Sequence, residues 1–137
     1  MKLCSACLLG VKCRYNGKGA LNRRVVALLE TEILIPVCPE QLGGLPTPRE
    51  LAEIRGKRVI TRSGKDVTEN FKRGAKQVLR LARLFNVKEA ILKQGSPSCG
   101  FGRIYDGTFS GKVIKGYGIT ATLLKKNGVK IIPSDEL

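Results

Sequence analysis

Four short apolar runs punctuate the chain: residues 1–6, Ile33–Val37, Ala90–Leu92 and Val129–Ile132. Continuous apolar runs of this length mark strands buried on both faces, as in a parallel sheet. Pro36 places the second run near a strand end or a sheet edge. The segments between them carry a helical period. Val25, Val26, Leu28 and Leu29 predict a short helix within Asn22–Glu32. Val78, Leu79, Leu81, Ala82 and Phe85 give one apolar face to a longer helix ending at Asn86, with Thr68 as its expected N-cap. A third helix is expected after Gly116-Tyr117-Gly118, capped by Thr120 and stopped by Asn127-Gly128. Residues 57–62 read as an additional short strand, turned by Ser63-Gly64-Lys65.

This alternation predicts an α/β fold: one small three-layer, Rossmann-like domain over residues 1–137 with a mainly parallel sheet. Three segments resist a regular assignment. Arg14–Gly19 is a turn by composition. Pro39–Arg49, with three prolines and two glycines, reads as a rigid irregular loop, and Gln94–Gly111 as a second one. Ligands of such sheets sit beyond the carboxyl ends of the strands. Cys7, Cys38 and Cys99 each follow an apolar run and therefore fall at that edge.

The chain has five cysteines and no histidine. Several readings of the thiols are open. Free cysteine packs like a small hydrophobe, which accounts for any one of them singly. Structural zinc wants four ligands at short paired spacings, and only Cys4-x-x-Cys7 comes near that pattern. An iron–sulfur cluster held by three cysteines suits an all-sulfur, dispersed set and leaves one iron open. Reactive thiols sensing redox state would form a Cys4–Cys7 or Cys7–Cys13 disulfide.

Lys and Arg outnumber Asp and Glu by 25 to 11, a net charge of +14. Such a surface attracts phosphate polyanions. The basic residues are scattered without interleaved aromatics, so sequence-specific nucleic-acid reading is not indicated. No apolar run reaches the ~18–20 residues of a membrane span. The first residues lack the pattern of a signal peptide, so the expected location is the cytoplasm.

Taken together, the motifs are specific. Ser-Ala-Cys-Leu-Leu-Gly (5–10), Arg-Tyr-Asn-Gly (14–17), Val-Cys-Pro-Glu (37–40), Gly-Gly-Leu-Pro-Thr-Pro-Arg (43–49), Asp-Val-Thr (66–68), Ser-Pro-Ser-Cys-Gly (96–100) and Tyr-Asp-Gly-Thr-Phe-Ser-Gly (105–111) occur in that order. Over nearly its whole length the chain resembles the thiouracil desulfidase-like family, formerly a domain of unknown function. The resemblance implies a 4Fe-4S cluster bound by Cys7, Cys38 and Cys99, with Cys4 and Cys13 outside the ligand set. It implies removal of sulfur from a thiolated nucleobase bound at the open iron. The substrate would be a small base or a thiolated tRNA, with no membrane and no obligate protein partner. Ser96 is the implied catalytic serine, and Glu40 stands for the catalytic glutamate. Arg14, Asn16, Lys93, Asp106 and Thr108 are candidates for binding substrate; members commonly have Asp where Asn16 stands. The alternative is a non-catalytic module in which zinc or a structural cluster supports RNA or partner binding.

Overall fold

The computed structural model describes all 137 residues. In chain order the elements begin with strand β1 (Lys2–Ser5), a 3-10 turn (Ala6–Leu9), helix α1 (Arg23–Ala27) and a second 3-10 turn (Leu28–Glu30). Strand β2 (Leu34–Val37), helix α2 (Pro39–Leu42) and strands β3 (Ala52–Arg55) and β4 (Arg58–Thr61) follow. Then come α3 (Thr68–Leu84), β5 (Glu89–Leu92), β6 (Phe101–Tyr105), β7 (Val113–Tyr117), α4 (Ile119–Lys126) and β8 (Lys130–Pro133).

The four apolar runs form one parallel sheet in the order β2-β1-β5-β8. Side chains alternate between its faces. Leu3, Ala90, Leu92 and Ile131 pack with Val78, Leu79 and Ala82 of α3 and Ala121 and Leu124 of α4. Cys4, Leu34 and Ile91 face the other way, onto Val25 of α1. Helices on both faces and a mainly parallel sheet make the expected three-layer α/β fold. Pro36 lies on β2, an edge strand, where its missing N–H is tolerated.

Helix α2 sits directly on α3. A Cβ at Gly74 would lie 1.9 Å from the carbonyl oxygen of Pro39, and one at Gly43 would lie 2.0 Å from that of Asn70. Glycine inside a helix costs roughly 1 kcal/mol relative to alanine. Here it lets the two backbones touch, and so fixes the segment that begins at Cys38.

The structure corrects four expectations. Thr68 does not cap α3. Asp66 Oδ1 accepts the Thr68 N–H at 2.9 Å, while Thr68 Oγ1 accepts the Val59 N–H at 2.8 Å and ties β4 to the helix start. Thr120 lies inside α4, fully buried, and its hydroxyl pairs with that of Ser98 at 2.7 Å. Gln94–Gly111 is not wholly irregular, because β6 pairs antiparallel with β7. Pro39–Arg49 opens with a helical turn, and β3, which had no distinct signal in sequence, pairs antiparallel with β4.

Candidate active site

The sheet reverses its winding between β1 and β5, since β2 lies on one side of β1 and β5 on the other. The carboxyl ends of these two strands are the natural place for a ligand. Ser5, the last residue of β1, joins them. Its hydroxyl accepts the Lys93 N–H at 2.9 Å and donates to Cys99 Sγ at 3.5 Å. Cys7 lies in the 3-10 turn just beyond β1, which Gly10 closes at φ 91°. Cys38 joins β2 to α2 in extended conformation. Cys99 lies in the turn beyond β5. Cys7, Cys38, Cys99 and also Cys13 border one cavity of about 350 Å³, with Glu40, Lys93, Ser96 and Arg14 in the same wall.

All five thiols are free. The Cys38 thiol donates to the Cys13 carbonyl at 3.7 Å. Its neighbour Cys13 draws the Cys7 thiol below its usual pKa, against its burial. At Cys13 the influence of Cys38 acts downward, but Cys7 and burial outweigh it, and the net shift is upward. Cys38 is raised by the adjacent Cys13 thiol and then by burial. Burial pushes Cys99 up to about 12, where the Ser5 hydroxyl opposes it only in part. Cys7 is the one thiol of the five that is shifted downward. Cys4 stands apart: it is fully buried on β1, does not border the cavity, and is pushed by burial up to about 12. It is a packing residue.

Ser96 organises the third cysteine. Its Oγ accepts the N–H groups of Ser98 at 3.0 Å and Cys99 at 3.1 Å. Both lone pairs of the hydroxyl are thereby used, and its proton remains free to donate. Glu40, on the first turn of α2, is held by Arg49, whose Nε lies 3.0 Å from Oε1. Arg49 also donates to the carbonyl oxygens of Cys13 at 2.9 Å and Pro46 at 3.1 Å. One guanidinium thus binds together the segments carrying Cys13, Glu40 and the proline loop.

Two expected substrate-binding cations border the cavity. Lys93 Nζ donates to the Gln94 carbonyl at 2.9 Å, and the Arg14 guanidinium lies 5.7 Å from the Tyr15 ring centroid. Three other candidates do not reach it. Asn16 Oδ1 accepts the Lys18 N–H and closes a turn. Asp106 Oδ1 accepts both the N–H and the hydroxyl of Thr108, at 2.9 and 2.6 Å. That bonding lowers the Asp106 pKa and uses up both residues within their own loop. Several cavity residues were not site candidates in sequence: Arg49, Glu53, Arg62, Tyr105 and Phe109; Cys13, expected outside the ligand set, borders the cavity too. The Tyr-Asp-Gly-Thr-Phe-Ser-Gly motif pointed to the right loop, but Tyr105 and Phe109 line the cavity while Asp106, Thr108 and Ser110 do not. Arg49 lies within a recognised motif, whereas Glu53 carried no local signal.

The sequence profile of the 2-thiouracil desulfurase family matches residues 3–136. The chain belongs to this family. It is 46% identical over 147 aligned positions to a protein of Bacillus subtilis (strain 168) described as uncharacterized protein YbbK, covering 100% of this chain and 97% of the other. Among solved structures it is similar to the 4Fe-4S-dependent thiouracil desulfidase TudS. That match has a TM-score of 0.94 and 44% identity, covering 99% of this chain and 91% of that one.

The donors of this family member suit a cluster better than a single ion. A mononuclear zinc site gathers four ligands around one point at ~2.3 Å. Here no three His, Cys, Asp or Glu groups converge in that way, although four thiols share one cavity. Three thiols from separate segments, in a chain without histidine, are the all-sulfur donor chemistry that an iron–sulfur cluster takes.

Proposed function

We propose that the protein is a desulfidase that replaces the sulfur of a thiouracil-type nucleobase with oxygen, using a 4Fe-4S cluster held by Cys7, Cys38 and Cys99. The observation that carries this reading is the convergence of three strand-end thiols, Glu40 and Ser96 on one cavity. Membership of the 2-thiouracil desulfurase family supports it. The cluster, when bound, supplies an iron with affinity for soft sulfur that polarises the thiocarbonyl.

The rest of the chemistry falls to the chain. The net reaction is hydrolytic: the carbon–sulfur bond breaks, a bond forms from that carbon to a water oxygen, and sulfur leaves as sulfide with the water protons. Glu40, anchored through Oε1, serves as the base that takes a proton from the attacking water. Ser96 donates its free hydroxyl proton to a heteroatom of the base. Two peptide N–H groups directed at Ser96 Oγ strengthen it as a donor. Lys93 and Arg14 lower the energy of an anionic substrate or sulfide in the cavity. Asp106, Thr108 and Asn16 act at a distance, by fixing the loops that border it.

The net charge of +14 supports a second substrate form, a thiolated base within RNA. Salt dependence separates the two. An RNA substrate loses affinity steeply between low and physiological salt, and a free base hardly at all. No helix is long and apolar enough to cross a membrane.

The test is anaerobic reconstitution followed by sulfide release from 2-thiouracil. The protein is expected to turn brown, to hold about four irons per chain, and to release sulfide. Cys7→Ala, Cys38→Ala and Cys99→Ala should each lose the iron, whereas Cys4→Ala and Cys13→Ala should keep it. Equal loss from all five would contradict the ligand assignment.

A further inference from the structure

Phe109 is one of two non-glycine residues in the left-handed region, at φ 58°. For a bulky side chain that conformation is a genuine outlier and has to be imposed by its surroundings. What imposes it is Glu53, a carboxylate only 4% exposed on β3. Its Oε1 accepts the N–H groups of both Gly107, at 3.0 Å, and Phe109, at 3.1 Å. Two residues along the same strand, Arg55 grips the peptide group between those two N–H groups. Its Nη2 donates to the Gly107 carbonyl at 2.8 Å and its Nε at 3.3 Å. Gly107 permits that approach, since a Cβ there would lie 2.8 Å from the Ile54 carbonyl oxygen. β3 thus clamps the loop through an acceptor and a donor.

The clamp delivers a half-buried phenylalanine ring to the wall of the cavity that also holds the thiols, Glu40 and Ser96. The Arg62 guanidinium lies over that ring, 5.7 Å from its centroid. Phe109 belongs to none of the three hydrophobic core clusters. A flat ring with a planar cation against it is the surface on which a heteroaromatic base stacks.

We propose that Phe109 is the stacking platform for the pyrimidine ring of the substrate, and that Glu53 is the positioning residue that holds it in a strained conformation. The proposal rests on the desulfidase reading above. It adds that the thiolated substrate is recognised first as a flat ring, through groups that lie on a different loop from the reacting ones.

Reconstituted protein is assayed for iron content, for kcat and KM with 2-thiouracil, and for binding of uracil by calorimetry. Phe109→Gly removes the ring and suits the backbone. It should retain iron and melt no lower than the parent, yet raise KM and weaken uracil binding about tenfold to a hundredfold. Phe109→Tyr should restore binding. Glu53→Leu should reproduce the loss in KM, and Glu53→Gln, which keeps a carbonyl acceptor, should recover much of it. Parent-like uracil affinity and KM in Phe109→Gly would overturn stacking while leaving the desulfidase reading intact. A parent protein that neither releases sulfide nor binds uracil would overturn both.

Discussion

Arg49 holds Glu40 by a single edge, with Nε on Oε1 at 3.0 Å, and leaves Oε2 without a protein donor. The two side chains are 6% and 17% exposed, so solvent screens the pair little. The same guanidinium carries the Cys13 carbonyl. Arg49→Met should therefore destabilise the fold by about 3 kcal/mol, the cost of stranding one partner of a buried pair. It should also lower sulfide release. Arg49→Lys keeps the charge but loses the fork, and should fall between the two. Urea denaturation and initial rates on the same preparations measure both effects; unchanged stability in Arg49→Met would rule out the clamp.

Ser96→Ala removes the proposed proton donor and the acceptor for two N–H groups. Turnover should fall about a hundredfold or more, within the usual range for a lost general acid. Iron content should stay at the parent level, since Cys99 remains tied to the Ser5 hydroxyl. Loss of iron in step with activity would show that Ser96 only shapes the cysteine turn.

Asp66 gives the fold a defined acid sensitivity. The hydrogen bonds from Thr68 hold its carboxyl below the usual carboxylate pKa, with Arg58 and Lys72 adding to the effect. A depressed native pKa stabilises the fold above the unfolded value of about 4. That contribution disappears as pH falls through the native value. The stability difference between the parent and Asp66→Asn should therefore be greatest near neutrality and shrink toward pH 3. A difference that is constant with pH would assign the effect to something other than the carboxylate charge.

Gly74→Ala puts a methyl group where the Pro39 carbonyl stands. The usual gain from alanine in a helix should be reversed, with a net loss of about 1–3 kcal/mol from overpacking. Because α2 moves with it, iron retention should fall as well. Thermal melts and iron analysis are the readouts. A stabilised Gly74→Ala protein would mean that the two helices separate without consequence.

The sheet and the site edge were legible because burial on both faces leaves a continuous apolar signature. Ile33–Val37 and Ala90–Leu92 could hardly be anything else, and their ends located Cys38 and Cys99. The antiparallel ribbons were not legible. Ala52-Glu53-Ile54-Arg55 is too short and too charged, and Gly102 and Gly116 weaken the period of β6 and β7. The strand ends place Cys7, Cys38 and Cys99 along the edge where the cavity lies, but Cys13 enters the cavity only through tertiary contacts that no local pattern records. Glu53 was invisible for the same reason: its role is set by a loop 54 residues further on.

Cys7, Cys38 and Cys99 belong to three different strand ends, and the first and last stand 92 positions apart. A zinc knuckle can seize its metal while the chain is still unfolded; this arrangement cannot. The cavity these cysteines border exists only after β1, β2 and β5 have aligned, so on the proposed assignment the chain would fold before it could hold a cluster. Any stability that a bound cluster added would then come by mass action on a fold already made.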